Sequence, residues 1–215
     1  MYWRLSVPIC MIVASVVSAD GADARTQTLP DPHTLTSMVE SAPTLAPFQH
    51  VRFCLRYPAE CKASSAAQRI ELDVQTMRLL DRVNRDVNLS ITPEVKAYDA
   101  DLTDGWTIDP DRGDCNDYAV TKRHNLIAKG LPSGALRLSV IKTPSGIGHL
   151  VLVVATTNGD MVLDNLTSAI RPWQITEYRW LKIQSATDPQ LWNAVKSPEF
   201  VPMASQSGRL RVADR

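Results

Sequence analysis

Between Gln68 and Val87 the apolar side chains Ile70, Leu72, Val74, Met77, Leu80, Val83 and Val87 return at spacings of two, three and four. Most of them share one helical face, with Arg69, Glu71, Arg78 and Arg82 outside it, so the spacing predicts a core-packing helix over 68–87. A second helix is predicted in RGDCNDYAVTKRHNLIAKG, residues 112–130. Gly113 or Asp114 can start it, Ala119, Val120, Leu126 and Ile127 supply an apolar side, Gly130 stops it and Pro132 keeps it stopped. Beyond Pro132 the period changes to that of strands. ALRLSVIK alternates apolar and polar residues, and HLVLVVAT is a continuous apolar run of the kind found in a central strand. A turn signal follows at Asn158-Gly159-Asp160, then MVLDNL, then a further alternating strand in YRWLKIQS. Helices first and an antiparallel sheet afterwards make an α+β layout, not a regular alternation of strand and helix.

The ends of the chain read differently. Arg4, an apolar run from Leu5 to Val17 and then Val17-Ser18-Ala19 form a secretory signal, with cleavage expected after Ala19. The apolar run is shorter than the roughly 20 residues of a spanning helix, so no stable membrane insertion is expected once the signal is removed. Residues 20–47 carry Pro30, Pro32, Pro43 and Pro47 and read as an irregular arm with a short helix near Leu35–Glu40. The domain itself is expected over 48–196, followed by a loosely ordered tail from 197 to 215, and Pro93 and Pro110 bracket a polar loop. The 215 residues carry no net formal charge, 44% hydrophobic and 21% charged positions, which fits one globular domain. That balance gives no electrostatic reason to expect nucleic acid, and the only basic pair in the second helix, Lys122-Arg123, reads as a solvated face.

Export changes the cysteine count. Without Cys10, in the signal, three remain, Cys54, Cys61 and Cys115, and each of the three possible pairings leaves one thiol free. The short FCLRYPAEC stretch, turned by Pro58, favours Cys54–Cys61 and leaves Cys115. That cysteine falls in the first turn of a helix, where free backbone N–H groups and the helix dipole favour a thiolate, while Asp114 and Asp117 oppose it. A histidine is needed beside it. His124 lies nine residues along the same helix, roughly 13 Å up its axis, and His33 and His50 lie in or near the arm. His149 opens the apolar strand after the flexible PSGIG, and Asp164 closes the next one. Taken alone, each has a plainer reading: a solvated turn imidazole and a wet carboxylate at a sheet end.

GDCNDYAVTKRHNL, GIGHLVLVV, GDMVLDNL and the later YRW together resemble the bacterial transglutaminase-like cysteine proteinases, over roughly residues 50–195. These are papain-related thiol hydrolases, and they include periplasmic adhesin-releasing proteases. The resemblance implies a papain/transglutaminase-like fold with N-terminal helices packed on an antiparallel sheet. It also implies Cys115 as nucleophile, His149 as general base and acid, and Asp164 as the group that orients the ring. The chemistry asks for these types: a thiolate attacks an amide carbon, an imidazolium protonates the leaving nitrogen, and a carboxylate holds the tautomer. The resemblance brings in calcium as well, bound by acidic residues flanking the nucleophile, but this sequence pairs Asp114 with Asn116. Asp109, Asp111, Asp114 and Asp117 lack the spacing and closing glutamate of an EF-hand, and no Cys or His pair has zinc-ligand spacing. No cofactor is required by the sequence, and the acidic string reads as a solvated loop.

The turn sets a geometric condition. A tight turn at Asn158-Gly159 would pair Asp164 with Val153, four residues and roughly 13 Å from His149. For the two to face each other the loop must centre on Thr156-Thr157, and the resemblance favours this wider turn. The expected function is an exported thiol hydrolase, periplasmic or secreted, cleaving a peptide bond in a periplasmic or surface protein such as an adhesin. An amide-transferring enzyme with the same triad, or a non-catalytic binding module keeping the fold, are the alternatives.

Overall fold

The computed structural model describes residues 36–96 and 105–196 of the chain. The expected signal at 1–19, most of the arm and the tail from 197 lie outside the described residues. In chain order the elements are β1 (Glu40–Thr44), α1 (Phe48–Arg56), α2 (Val74–Ser90), β2 (Thr92–Pro93), β3 (Arg112–Gly113) and α3 (Cys115–Ala128). They continue with β4 (Leu136–Lys142), β5 (Gly148–Thr156), β6 (Gly159–Leu163), β7 (Arg171–Pro172), β8 (Arg179–Gln184) and β9 (Trp192–Val195). Seven strands form one sheet in the order β1-β9-β8-β4-β5-β6-β7, with every neighbouring pair antiparallel. The α+β layout is therefore observed.

Alternation along the strands separates two cores. Leu138, Leu150, Leu152, Val154 and Leu163 face the helices, meeting Leu80, Val83 and Val87 of α2 and Tyr118, Ala119 and Leu126 of α3. On the other face Val151, Val153, Val162, Trp180 and Ile183 gather with Trp173, closed by Met38. Met38 is held there by its N–H to Asp160 Oδ2 at 2.7 Å, and Trp173 Nε1 donates to Thr36 O at 2.8 Å.

Several expectations change. The arm is not irregular throughout, and 36–39 is not helical: Glu40–Thr44 pairs with β9 as an edge strand, where Pro43 costs little because an edge needs fewer ladder bonds. Helix α2 begins at Val74, not at 68. Asp73 caps it by accepting from Thr76 N at 2.6 Å, and Ile70 instead bridges to Thr156. Around the expected polar loop, β2 and β3 pair in parallel. Lys122 and Arg123 are not a solvated face but are 1% and 2% exposed. Arg123 is taken up by Leu136 O, Glu60 O and Glu60 Oε2, each at 2.9 Å, and Lys122 lies over the Tyr118 ring. Cys54 and Cys61 form a disulfide, leaving Cys115 as the free cysteine among the described residues. Among the described residues no helix is long and apolar enough to cross a membrane.

Candidate active site

The stretch Gly113-Asp114-Cys115-Asn116-Asp117 builds a helix start in which each residue has a mechanical reason. Asp114 is the N-cap, its Oδ1 accepting from Asn116 N at 2.9 Å, and Asp117 Oδ2 returns the favour by accepting from Asp114 N at 2.9 Å. This reciprocal arrangement is a capping box. Asp117 packs so tightly on the preceding residue that a Cβ at position 113 would lie 2.5 Å from its Oδ2, so only glycine fits. Asp117 is fully buried and also accepts from Thr107 N and from Lys96 Nζ, both at 2.8 Å. The acidic string is thus not a uniformly solvated loop: Asp109 and Asp111 are exposed and Asp117 is not.

Cys115 sits half-buried at the first position of α3. The N–H groups of Asn116 and Asp117 go to the Asp114 carboxylate and that of Tyr118 to Asp114 O. The Cys115 N–H has no acceptor among the described residues.

His149, buried near the start of β5 opposite Ile141, places Nε2 2.8 Å from Asp164 Oδ1. Asp164 is itself buried at the end of β6 and accepts further from Leu166 N at 3.1 Å and from the Tyr178 hydroxyl. Its backbone oxygen takes Asn88 Nδ2 at 2.9 Å, so α2 fixes the same residue from the other side. The plainer readings, a wet carboxylate and a solvated imidazole, do not hold. The structure brings Cys115, His149 and Asp164 together, and the thiol is the second hydrogen-bonding partner of His149. With Nε2 committed to Asp164, Nδ1 is the ring nitrogen left for sulfur. His124 is elsewhere, its Nδ1 2.6 Å from Glu60 Oε1.

The electrostatics follow from this arrangement. Burial by itself pulls His149 down, but the hydrogen bonds and charges of Asp164 and Cys115 outweigh it and push the imidazole up to about 9. For Asp164 burial pulls upward, and His149, Tyr178 and the Leu166 N–H overcome it to hold the carboxyl below its usual range. The Tyr178 hydroxyl is pushed up, first by burial and then by the carboxylate it serves. Lys122, two turns along α3 from Cys115, is drawn down to about 7 by burial against the opposing charge of Asp164.

The turn obeys neither sequence expectation. Thr156 pairs with Gly159, so a tight two-residue turn centres on Thr157-Asn158, with Gly159 taking φ +104°. Leu152 pairs with Leu163, which sets Asp164 level with Val151, two residues from His149 along the strand. Diagonal neighbours at that offset lie within reach of long side chains, and His149 closes the gap. Tyr178 and Asn88 were not identified from sequence as parts of the site. The YRW triplet carried the only hint: Tyr178 lies just before β8, its ring 6.3 Å from that of Trp180.

The family model described as bacterial transglutaminase-like cysteine proteinase BTLCP matches residues 40–199. Solved structures of Legionella pneumophila LapG are similar. One is 25% identical, covering 55% of this chain and 67% of that one, with a TM-score of 0.46. The calcium-bound form is 26% identical, covering 55% and 69%, at 0.43, and the EGTA-treated form is 22% identical, covering 59% and 74%, at 0.41. No curated protein is matched significantly by the sequence.

Proposed function

Because the chain belongs to the bacterial transglutaminase-like cysteine proteinases and is by that membership a cysteine peptidase, we propose that Cys115, His149 and Asp164 are its catalytic triad. The observation that carries the reading is the 2.8 Å His149–Asp164 hydrogen bond with the free Cys115 thiol as the other partner of the same imidazole. The thiolate attacks the scissile carbonyl carbon, and the Cys115 N–H, which has no acceptor among the described residues, receives the developing oxyanion. His149 gives its Nδ1 proton to the leaving amine and then takes one from the water that resolves the thioester. Asp164 holds the Nε2–H and stabilises the imidazolium, itself held in place by Tyr178 and Asn88.

The substrate proposed is a protein of the periplasm or cell surface, an adhesin by the resemblance, met after export through the signal at 1–19. The peptidase domain proposed is residues 48–196, and the pairing of β1 with β9 supports counting that strand with it. Among the described residues, the carboxylates beside Cys115 are already engaged by donors of this chain, which speaks against a calcium ion held by them. Asp117 already accepts hydrogen bonds from Lys96, Thr107 N and Asp114 N and pairs with the Lys96 charge, and Asp114 accepts from both Asn116 N and Asn116 Nδ2.

Iodoacetamide labelling across pH, with the modified residue mapped by mass spectrometry, tests the triad. Cys115 is expected to react rapidly near pH 6–7, and His149→Ala to slow it by roughly 10²-fold or more. Equal rates in the two proteins would remove His149 from the mechanism.

A further inference from the structure

The segment that follows α2 is brought alongside the entrance to the nucleophile helix. Thr92 N donates to Asp111 O and Glu94 N to Gly113 O, both at 2.9 Å, so residues 92–94 run parallel to 111–113 in fixed register. Two residues later this strand delivers Lys96. Its ammonium lies 2.8 Å from each oxygen of Asp117 and 3.0 Å from Gly105 O, with its side chain only 11% exposed. The ammonium thus donates to Asp117 Oδ1 and Gly105 O while pairing in charge with Oδ2. The carboxylate is engaged on both oxygens: Oδ1 accepts from Lys96 and Thr107 N, and Oδ2 accepts from Asp114 N and lies in ion-pair contact with Lys96. A cation gripped by both carboxylate oxygens and a backbone carbonyl, at the base of a catalytic helix, is the arrangement expected of a bound metal.

We propose that Lys96 is a built-in cation for this site, a positioning residue whose ammonium sets the Asp117 cap of α3 and makes the nucleophile end independent of calcium. The proposal rests on the triad reading for its functional consequence. The Asp117–Lys96 pair ties together Gly105 and Thr107, Asp114 and the first turn of α3; burial pushes the Asp117 carboxyl up, and the Lys96 hydrogen bond and charge oppose that push. Trp106, held between Gly105 and Thr107, packs 6.1 Å from the Phe53 ring and 5.7 Å from His50, so the tie reaches into the helical core. A tethered ammonium cannot be diluted or chelated. The site would therefore stay assembled at any free calcium concentration, and control of cleavage must come from elsewhere, such as access to the substrate. The other acidic side chains of the stretch, Asp109 and Asp111, are exposed and take no part in the grip.

The test uses thermal unfolding and Cys115 alkylation of the mature protein in 5 mM calcium and in 5 mM EGTA. For the wild type, neither the midpoint nor the alkylation rate is expected to change between the two. Lys96→Met, which keeps most of the stem and loses the charge, is expected to slow alkylation by about tenfold, and Lys96→Arg to retain most of the rate. Lys96→Ala opens a cavity, and methylammonium added to it is expected to recover alkylation, a response that lost packing alone would not give. A wild-type midpoint or rate that rises with calcium and falls with EGTA overturns the proposal. So does a Lys96→Met protein that alkylates like wild type. Should Cys115 fail to label in the wild type, the triad reading falls, while the calcium response of the unfolding midpoint still decides the role of Lys96.

Discussion

Two imidazoles are buried among the described residues, and the surroundings drive them in opposite directions. His50, on α1, is 1% exposed, and His149 is 8% exposed. His50 sits among Trp192, Trp106 and Phe53 rings and beside the disulfide, its Nε2 3.5 Å from Cys54 Sγ. Trp192 Nε1 donates to its Nδ1 at 3.3 Å, and Gln184 Nε2 lies 3.0 Å from its Nε2. Burial first, and the Arg123 charge second, push it down to about 4. His149 suffers the same desolvation but has a carboxylate and a thiol as partners, and ends at about 9. Burial alone makes a histidine a neutral core residue. A buried anion in hydrogen-bonding contact makes it a proton donor that stays charged at neutral pH.

Removing the anion should break the contrast most severely. In Asp164→Asn, His149 keeps its desolvation and loses its counter-charge, so the alkaline limb of Cys115 reactivity should fall from about 9 to below the ordinary 6.5. Turnover should drop roughly 10³–10⁴-fold, as when a triad carboxylate is neutralised. The sign extends to stability. Because the folded value of His149 lies above 6.5, its contribution is fully present below about 6.5 and is lost as pH rises through about 9. The Asp164 contribution is lost only as pH falls through its depressed value, below 3.8. A limb that stayed near 9 in Asp164→Asn would mean that the carboxylate is not what holds the ring charged.

The second effect belongs to His50 and has the opposite slope. Its folded value lies below its unfolded one, so between about 4 and 6.5 the unfolded chain binds more protons and stability falls as pH is lowered. Urea unfolding should show roughly 3 kcal/mol lost across that interval, with His50→Gln flattening the slope at some cost in packing. The pH profile of Cys115 reactivity should not move in that variant. If it does, the two histidines are coupled and the contrast between them is not local.

What could be read in the sequence follows the range of the forces involved. The α3 boundaries were legible because caps and stop signals act within a turn, β4 and β8 because alternation is a local pattern, and β5 because a continuous apolar run is one too. The three residues Cys115, His149 and Asp164 were legible through their motif. Edge strand β1 was not, since Glu-Ser-Ala-Pro-Thr shows no alternation and is held by its pairing with β9. Nor was the turn register: Thr156 Oγ1 accepts from Asn158 N at 3.2 Å and donates to Gly159 O, a side-chain brace that moves the turn one residue from the Asn-Gly pair. Arg123 read as a surface residue because its partner Glu60 lies 63 positions earlier. Asp117 likewise depends on Lys96, 21 positions away.

The smallest expected effect is also the sharpest on mechanism. Tyr178 donates its hydroxyl to Asp164 Oδ2, away from the oxygen that meets His149, and its ring lies edge-on 6.3 Å from the imidazole. Tyr178→Phe keeps the ring and removes one of the donors that hold the carboxylate below its usual range. With Leu166 N and His149 still bonded to Oδ1, the loss should be about 1 kcal/mol of stability, read by urea unfolding, and a few-fold in turnover. The direction on pH is the telling part. A carboxylate with one donor fewer is more basic, so it should grip the imidazolium harder, and the alkaline limb should hold at about 9 or rise. Asp164→Asn moves that limb down, so two substitutions at neighbouring atoms should shift one ionisation in opposite directions. A limb that dropped in Tyr178→Phe would show that the hydroxyl acts by orienting the carboxylate, with its geometry mattering more than its charge.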